Sequence, residues 1–459
     1  MDPELLNWCK KVIATPSVSG QGTRRLAELL ASELLAARGI QAQLLPSAVE
    51  GVPQVNLIAQ VEGREPGLQP LVLTTHLDTV PPGERSLWTA CGGDPFAAAV
   101  EGDRIYGLGA ADTKLDFVAK ALALAAVGRP RRSVYLAATF GEERGLLGAK
   151  ELVASGLLPK QGAVFVGEPS GLSLVTAHKG LLFFRLRLNF GARTEPALRA
   201  LLRVVFAGRS AHSSTPHLGV NAIALALRSL SGEPALRVAS IDGGDAVNKV
   251  PARCAVVGAA PEAGLPKGAS VEPIGRQQVG LLPSSTLWVL AQFLEGSERL
   301  VEETAAIDPD FSAPALTWNP GVIRTEEQTI TLELEFRPPP GADLPRLRES
   351  LNALVREISS HTPELSLELT EERANPAFRA SPASETVRLA VEALARARLE
   401  AVMEVKAGCT EAGVYAQHGL SPVVFGPGPS AGVIHAPNEY NVLPQVEAAA
   451  GFYRALLLL

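Results

Sequence analysis

The chain has 459 residues, 46% of them hydrophobic and 20% charged, a composition that builds a sizeable core and excludes extended disorder. A formal net charge of −6 argues against nucleic acid or an anionic membrane as partner, and no run approaches the ~18 apolar residues of a membrane span. The four cysteines lie too far apart for paired metal spacing or a disulfide framework, and Met1-Asp2-Pro3-Glu4-Leu5 lacks the start of a signal peptide, so the cytoplasm is the expected compartment.

In chain order, Leu26, Leu29, Leu30 and Leu34 recur at helical spacing, with Gly39 where a C-terminal cap belongs. Short apolar runs follow at Val55–Ile58, Leu71–Leu73, Val134–Phe140 and Ala163–Val166, with a helix expected over Phe117–Ala126. These are the buried strands of a mixed or parallel sheet. After Gly180 the style changes. Phe184, Leu186, Leu188 and Phe190 alternate with polar residues, as do Ile330, Leu332, Leu334 and Phe336, and then Leu365, Leu367 and Leu369. Strict alternation predicts antiparallel strands with one wet face, covered on the other by helices over Val220–Leu230 and Leu344–Ile358. From about Ser381 the first style returns, with a helix near Glu385–Ala397 and a strand at Val423–Phe425. The expected organisation is an α/β domain with a mixed sheet (1–179 and 379–459), interrupted by a smaller α+β domain (180–378). Residues 259–321 read as an insertion in the smaller domain, with one helical face of Leu287, Leu290, Ala291 and Leu294.

Several polar residues sit where apolar strands end. His76 and Asp78 form an H-x-D pair; strand alternation would place both on one face, with the carboxylate orienting the imidazole. Gly107-Leu108-Gly109-Ala110-Ala111-Asp112-Thr113-Lys114 delivers Asp112 from a tight turn. It lacks the third glycine of a dinucleotide fingerprint, and Asp112 would repel a pyrophosphate. Glu142 and Glu143 follow the strand Val134–Phe140, and adjacent acids at such a position are costly unless a cation or proton lies between them. Glu168 follows another strand, and His435 follows the last one. Each alone reads equally as a strand-end histidine, a helix cap, a solvated turn or a loop residue. Together they put two imidazoles and several carboxylates on one sheet edge, where ligands of open α/β sheets gather. This mixed nitrogen and oxygen set suits zinc, with cobalt or manganese as alternatives.

The ordered segments HLDTVP, GLGAADTK, FGEER, GEPS, GRSAHSS and GPG…HAPNEY resemble the co-catalytic zinc amidohydrolase and exopeptidase family. That family includes acetylornithine deacetylase, succinyl-diaminopimelate desuccinylase, aminoacylase and glutamate carboxypeptidase. GEPSGLSLVTAHKG, EFRPPPG and AGCTEAG are most similar to the acetylornithine deacetylase type. The resemblance implies a zinc-exopeptidase-like α/β catalytic domain and a ferredoxin-like α+β lid and dimerisation domain. It implies two zinc ions, one on His76 and Glu168, the other on Glu143 and His435, with Asp112 bridging. Asp78 would orient His76, and Glu142 would be the general base. His212 would stabilise the oxyanion in the partner subunit's site, and Asn248 and Arg337 would bind substrate. Gly141 stands where many relatives have Asp. The implied reaction is hydrolysis of the amide bond of an N-acyl amino acid. Alternatives are an exopeptidase cutting short peptides by the same chemistry, or a catalytically inactive binding or scaffold protein. The implied assembly is a homodimer through the smaller domain.

Overall fold

The computed structural model describes residues 1–231, 236–259, 268–304 and 306–459. The chain forms two compact units, Met1–His178 with Phe378–Leu459, and Lys179–Ala377.

The first unit is built on a nine-stranded mixed sheet. Its centre is four mutually parallel strands in the spatial order Val134–Thr139, Leu71–His76, Ala163–Gly167 and Ser421–Val424. These are the near-continuous apolar runs of the sequence, and their residues are largely buried. An antiparallel pair, Ala42–Val49 and Val52–Val61, extends one edge. Because the central strands are parallel, their C-terminal ends share one edge of the sheet. The chain leaves that edge at His76, at Phe140-Gly141, at Glu168 and at Phe425-Gly426.

The helix Lys114–Val127 is apolar almost all round and lies buried in the core. Three charged residues of this helix are buried, Lys114, Asp116 and Lys120; the last two are one helical turn apart and pair at 2.6 Å. Lys120 also donates to the carbonyls of Thr74 (2.6 Å) and Phe165 (3.1 Å), and Asp116 accepts from Thr75 Oγ1 (2.7 Å) and Tyr453 O–H (2.6 Å). One ion pair thus ties two central strands to this helix and to the C-terminal helix Leu443–Leu457. A side chain at Gly167 would meet that network, since a Cβ there would lie 1.9 Å from Asp116 Oδ2. Gly167→Ala is expected to lower stability by about 1–3 kcal/mol, the usual range for overpacking a core, read as a lower urea midpoint.

The second unit is an eight-stranded antiparallel sheet carrying the helices Ala222–Leu230, Ser285–Glu302 and Leu344–His361. The alternating strands turn Leu182, Phe184, Leu186 and Leu188 inward, against Ile223, Leu290 and Leu351 of the helices. Residues 260–267 and 305, part of the expected insertion, lie outside the described residues. The remainder of that stretch adds the strand Ser270–Val279 and the helix Ser285–Glu302, on which Leu287, Leu290, Ala291 and Leu294 are buried. The strand has no apolar alternation to reveal it. It contains Pro273 and Gly275 and is bulged against Leu201 and Leu202, which an edge strand tolerates.

Candidate metal centre

Five side chains converge at the C-terminal edge of the first unit's sheet, in two groups that could each hold a cation. His76, Asp112 and Glu168 form one; Asp112, Glu143 and His435 form the other. Asp112 belongs to both, and its two oxygens face opposite ways. Oδ1 lies 3.1 Å from His76 Nε2, and Oδ2 lies 3.2 Å from His435 Nε2. Glu168 Oε1 lies 3.9 Å from His76 Nε2, and Glu143 Oε1 lies 2.9 Å from His435 Nε2. His76 Nδ1 is 2.9 Å from the main-chain carbonyl of Asp78, which can only accept, so Nδ1 carries a proton and Nε2 is the nitrogen that faces the carboxylates.

Local backbone sets each position. His76 ends its strand, and Asp112 sits on the turn before the helix beginning at Lys114. Gly141 adopts φ +65°, turning the chain so that Glu142 and Glu143 follow in quick succession. His435 itself is left-handed, with φ +57°, uncommon outside glycine and typical of residues held by function.

Burial dominates the electrostatics. It pushes Glu168 up to about 8, with the charge of Asp112 adding to the effect. Burial and then the charge of Glu168 raise Glu142 well above the usual carboxylate range, and burial raises Glu143. Burial also works against ionisation of Asp112, but hydrogen bonds to His435 and His76 outweigh it and hold the carboxyl below its ordinary value. His435, facing Asp112 and Glu143, is pushed up to about 11. Both imidazoles therefore sit where positive charge is favoured between ring nitrogen and carboxylate. Glu168 Oε1 is buried with no hydrogen-bond partner among the described residues. An orphaned buried oxygen, a surplus of buried carboxylates and a mixed nitrogen and oxygen donor set all fit divalent cations.

Asp78 departs from its expected contact. Its carboxylate is 3.7 Å from His76 Nδ1, too far for a hydrogen bond. It accepts instead from the amides of Glu142 (3.0 Å) and Glu143 (3.3 Å) and from Ser19 Oγ (2.7 Å). The strand ends at His76, so the period of two used to align the pair does not continue to Asp78. The carboxylate has turned toward two N–H dipoles and anchors the loop carrying Glu142 and Glu143.

His212, Asn248 and Arg337 lie in the second unit. The loops of the first two are joined, because Ser213 N donates to Asn248 O (3.0 Å) and Val250 N to Ala211 O (2.9 Å). Both side chains are exposed. Ser214 N donates to His212 Nδ1 at 3.1 Å, so the ring proton is on Nε2. Buried Asn319, which carried no sequence signal, donates to the carbonyls of Val247 (3.2 Å) and Lys249 (2.9 Å) and holds the Asn248 loop. Arg337 ends the strand Thr329–Arg337 and is buried, not a surface charge; its Nε (3.0 Å) and Nη2 (2.9 Å) engage Glu335.

Residues 72–459 match Peptidase family M20/M25/M40. The chain belongs to this family. Among curated relatives, the acetylornithine deacetylase of Photorhabdus laumondii subsp. laumondii is 34% identical over 280 residues, which is 55% of this chain and 66% of the relative. That of Pasteurella multocida is 31% identical over 281 residues, with the same coverage. The chain thus spans just under two thirds of the length of the curated relatives it matches. Solved structures share its fold. Aminoacylhistidine dipeptidase from Vibrio alginolyticus has a TM-score of 0.70 at 18% identity, covering 100% of this chain and 96% of the other. The M20 family metallo-carboxypeptidase from Sulfolobus solfataricus has a TM-score of 0.62 at 19% identity, covering 100% and 99%. Among the described residues, no helix is long and apolar enough to cross a membrane.

Proposed function

We propose that this M20-family chain hydrolyses the amide bond of an N-acyl amino acid, with acetylornithine-like compounds as the first substrates to try. The observation that carries the reading is the pair of three-residue groups sharing Asp112. His76 and Glu168 would hold one ion, Glu143 and His435 the other, and Asp112 both. Zinc is the first choice and cobalt or manganese the alternative. When bound, two divalent cations supply Lewis acidity and lower the pKa of water.

The chain's own groups do the rest. Glu142 belongs to neither three-residue group, and its amide is anchored by Asp78. Burial and negative neighbours raise the proton affinity of its carboxylate. It is therefore suited to take a proton from the attacking water on its carboxylate and return it to the leaving amine. His212 offers an Nε2–H donor for the oxyanion, in the partner subunit of a homodimer formed through the second unit. Asn248 and Arg337 would bind the substrate, the Arg337 guanidinium, paired with Glu335, taking its free carboxylate. His212→Ala is expected to lower turnover by about 10²–10³ without changing metal content, since it removes one oxyanion donor.

A second reading is favoured by the structural neighbours: an exopeptidase cutting dipeptides or C-terminal residues by the same chemistry. The intact ligand set and Glu142 weigh against an inactive scaffold. The test is turnover of N-acetyl, N-succinyl and dipeptide substrates by chelator-stripped protein resupplied with zinc or cobalt. N-acyl turnover supports the first reading, and peptide turnover alone supports the second. No turnover and no bound metal would overturn both.

A further inference from the structure

The residue common to both groups is itself held by a side chain with no role so far. Glu439 is buried, 1% exposed, four residues beyond His435. Its Oε1 accepts from the amides of Ala111 (2.8 Å) and Asp112 (3.0 Å). Its main-chain carbonyl accepts from Gly107 N at 2.9 Å. Asn441, also buried, donates to Ala110 O at 2.8 Å, and Tyr440–Val442 pairs antiparallel with Arg104–Tyr106. The segment that carries His435 therefore grips the turn that carries Asp112 at successive points. Two backbone N–H groups converging on one carboxylate oxygen make a contact of fixed direction. It sets the backbone from which the Asp112 carboxylate presents one oxygen to each histidine.

We propose that Glu439 is a positioning residue that fixes Asp112 between the two cation groups and so couples the affinities of both ions. The proposal rests on the two-metal reading above. Outer residues that orient metal ligands typically contribute about 10–100-fold in metal affinity. Glu439→Ala is therefore expected to weaken both ions by about that factor, because Asp112 serves both. His435→Ala, by contrast, should weaken one ion only. Glu439→Gln keeps an acceptor oxygen at the same reach and should restore affinities close to wild type.

The experiment titrates zinc into chelator-stripped full-length protein by calorimetry, with circular-dichroism melts of the metal-free variants alongside. A purely structural role would lower the melting temperature of the Ala variant and leave its zinc affinities alone, and that result overturns the proposal. So does weakening of one ion only, or a Gln variant as weak as Ala. If the Ala variant does not fold, Glu439→Asp, whose carboxylate is drawn back by one methylene, replaces it; wild-type affinities in a folded Asp variant overturn the proposal equally. Wild-type protein that binds no zinc overturns the two-metal reading and this inference together, whereas two ions bound by wild type and by the Ala variant with equal affinity overturns this inference alone.

Discussion

Glu142→Ala is expected to retain two metal ions per chain and to lose about 10²–10⁴ in turnover, the range supplied by a positioned general base. The expectation follows from a division of labour between neighbours. Glu143 Oε1 faces His435 Nε2 at 2.9 Å and lies within one cation group, whereas Glu142 belongs to neither group. Glu143→Ala should therefore cost a metal ion as well as activity. In both variants Asp78 still anchors the loop through the amides of residues 142 and 143, so the backbone is retained. Metal content by elemental analysis and turnover with saturating substrate, measured on the same preparations, separate the two cases. An active Glu142→Ala protein would remove Glu142 from the base role, and a metal-depleted one would make it a ligand.

Lys120→Met is expected to destabilise the first unit by about 3–5 kcal/mol, the cost of leaving one member of a buried ion pair uncompensated. Lys120 is fully buried, and burial pulls its pKa below the ordinary lysine value against the opposing charge of Asp116. Its loss leaves Asp116 with hydroxyl partners only and deprives the Thr74 and Phe165 carbonyls of a donor. The double variant Asp116→Leu/Lys120→Met removes both charges and should regain part of the loss, because apolar replacement of a buried pair is often neutral. Urea denaturation followed by fluorescence measures both. A single variant as stable as wild type would show that the pair contributes nothing to the fold.

That pair also shows where legibility ended. Asp116 and Lys120 stand one turn apart on a largely apolar helix whose first residue, Lys114, is its one other charge, and this is the available signal: charges with no wet face must meet each other or a buried polar group. The helix itself is legible, but its spacing does not say which buried partners the two charges meet. Glu439 lay inside the quoted HAPNEY segment, but nothing in the spacing says that its carboxylate reaches back to residues 111 and 112, more than 300 positions earlier. Asp78 makes a different contact from the one its spacing predicts, because it lies two residues past the end of the strand, where the period of two no longer holds.

Other features were legible for a physical reason. Buried parallel strands must be apolar along their whole length, so the polar residues at their C-terminal ends stand out as His76, Glu142-Glu143 and Glu168. Those residue types in that order determined the class of chemistry to expect. Alternation likewise marked the strands of the second unit that bury one face, while the edge strand Ser270–Val279 buries little and left no pattern. What only the tertiary structure decided was which carboxylate oxygen faces which imidazole, which backbone amides Asp78 and Glu439 hold, and how Arg337 is paired. Those contacts join residues remote in the chain or aimed by local turns, and a hydrogen bond depends on distance and angle, neither of which is encoded in the spacing of letters.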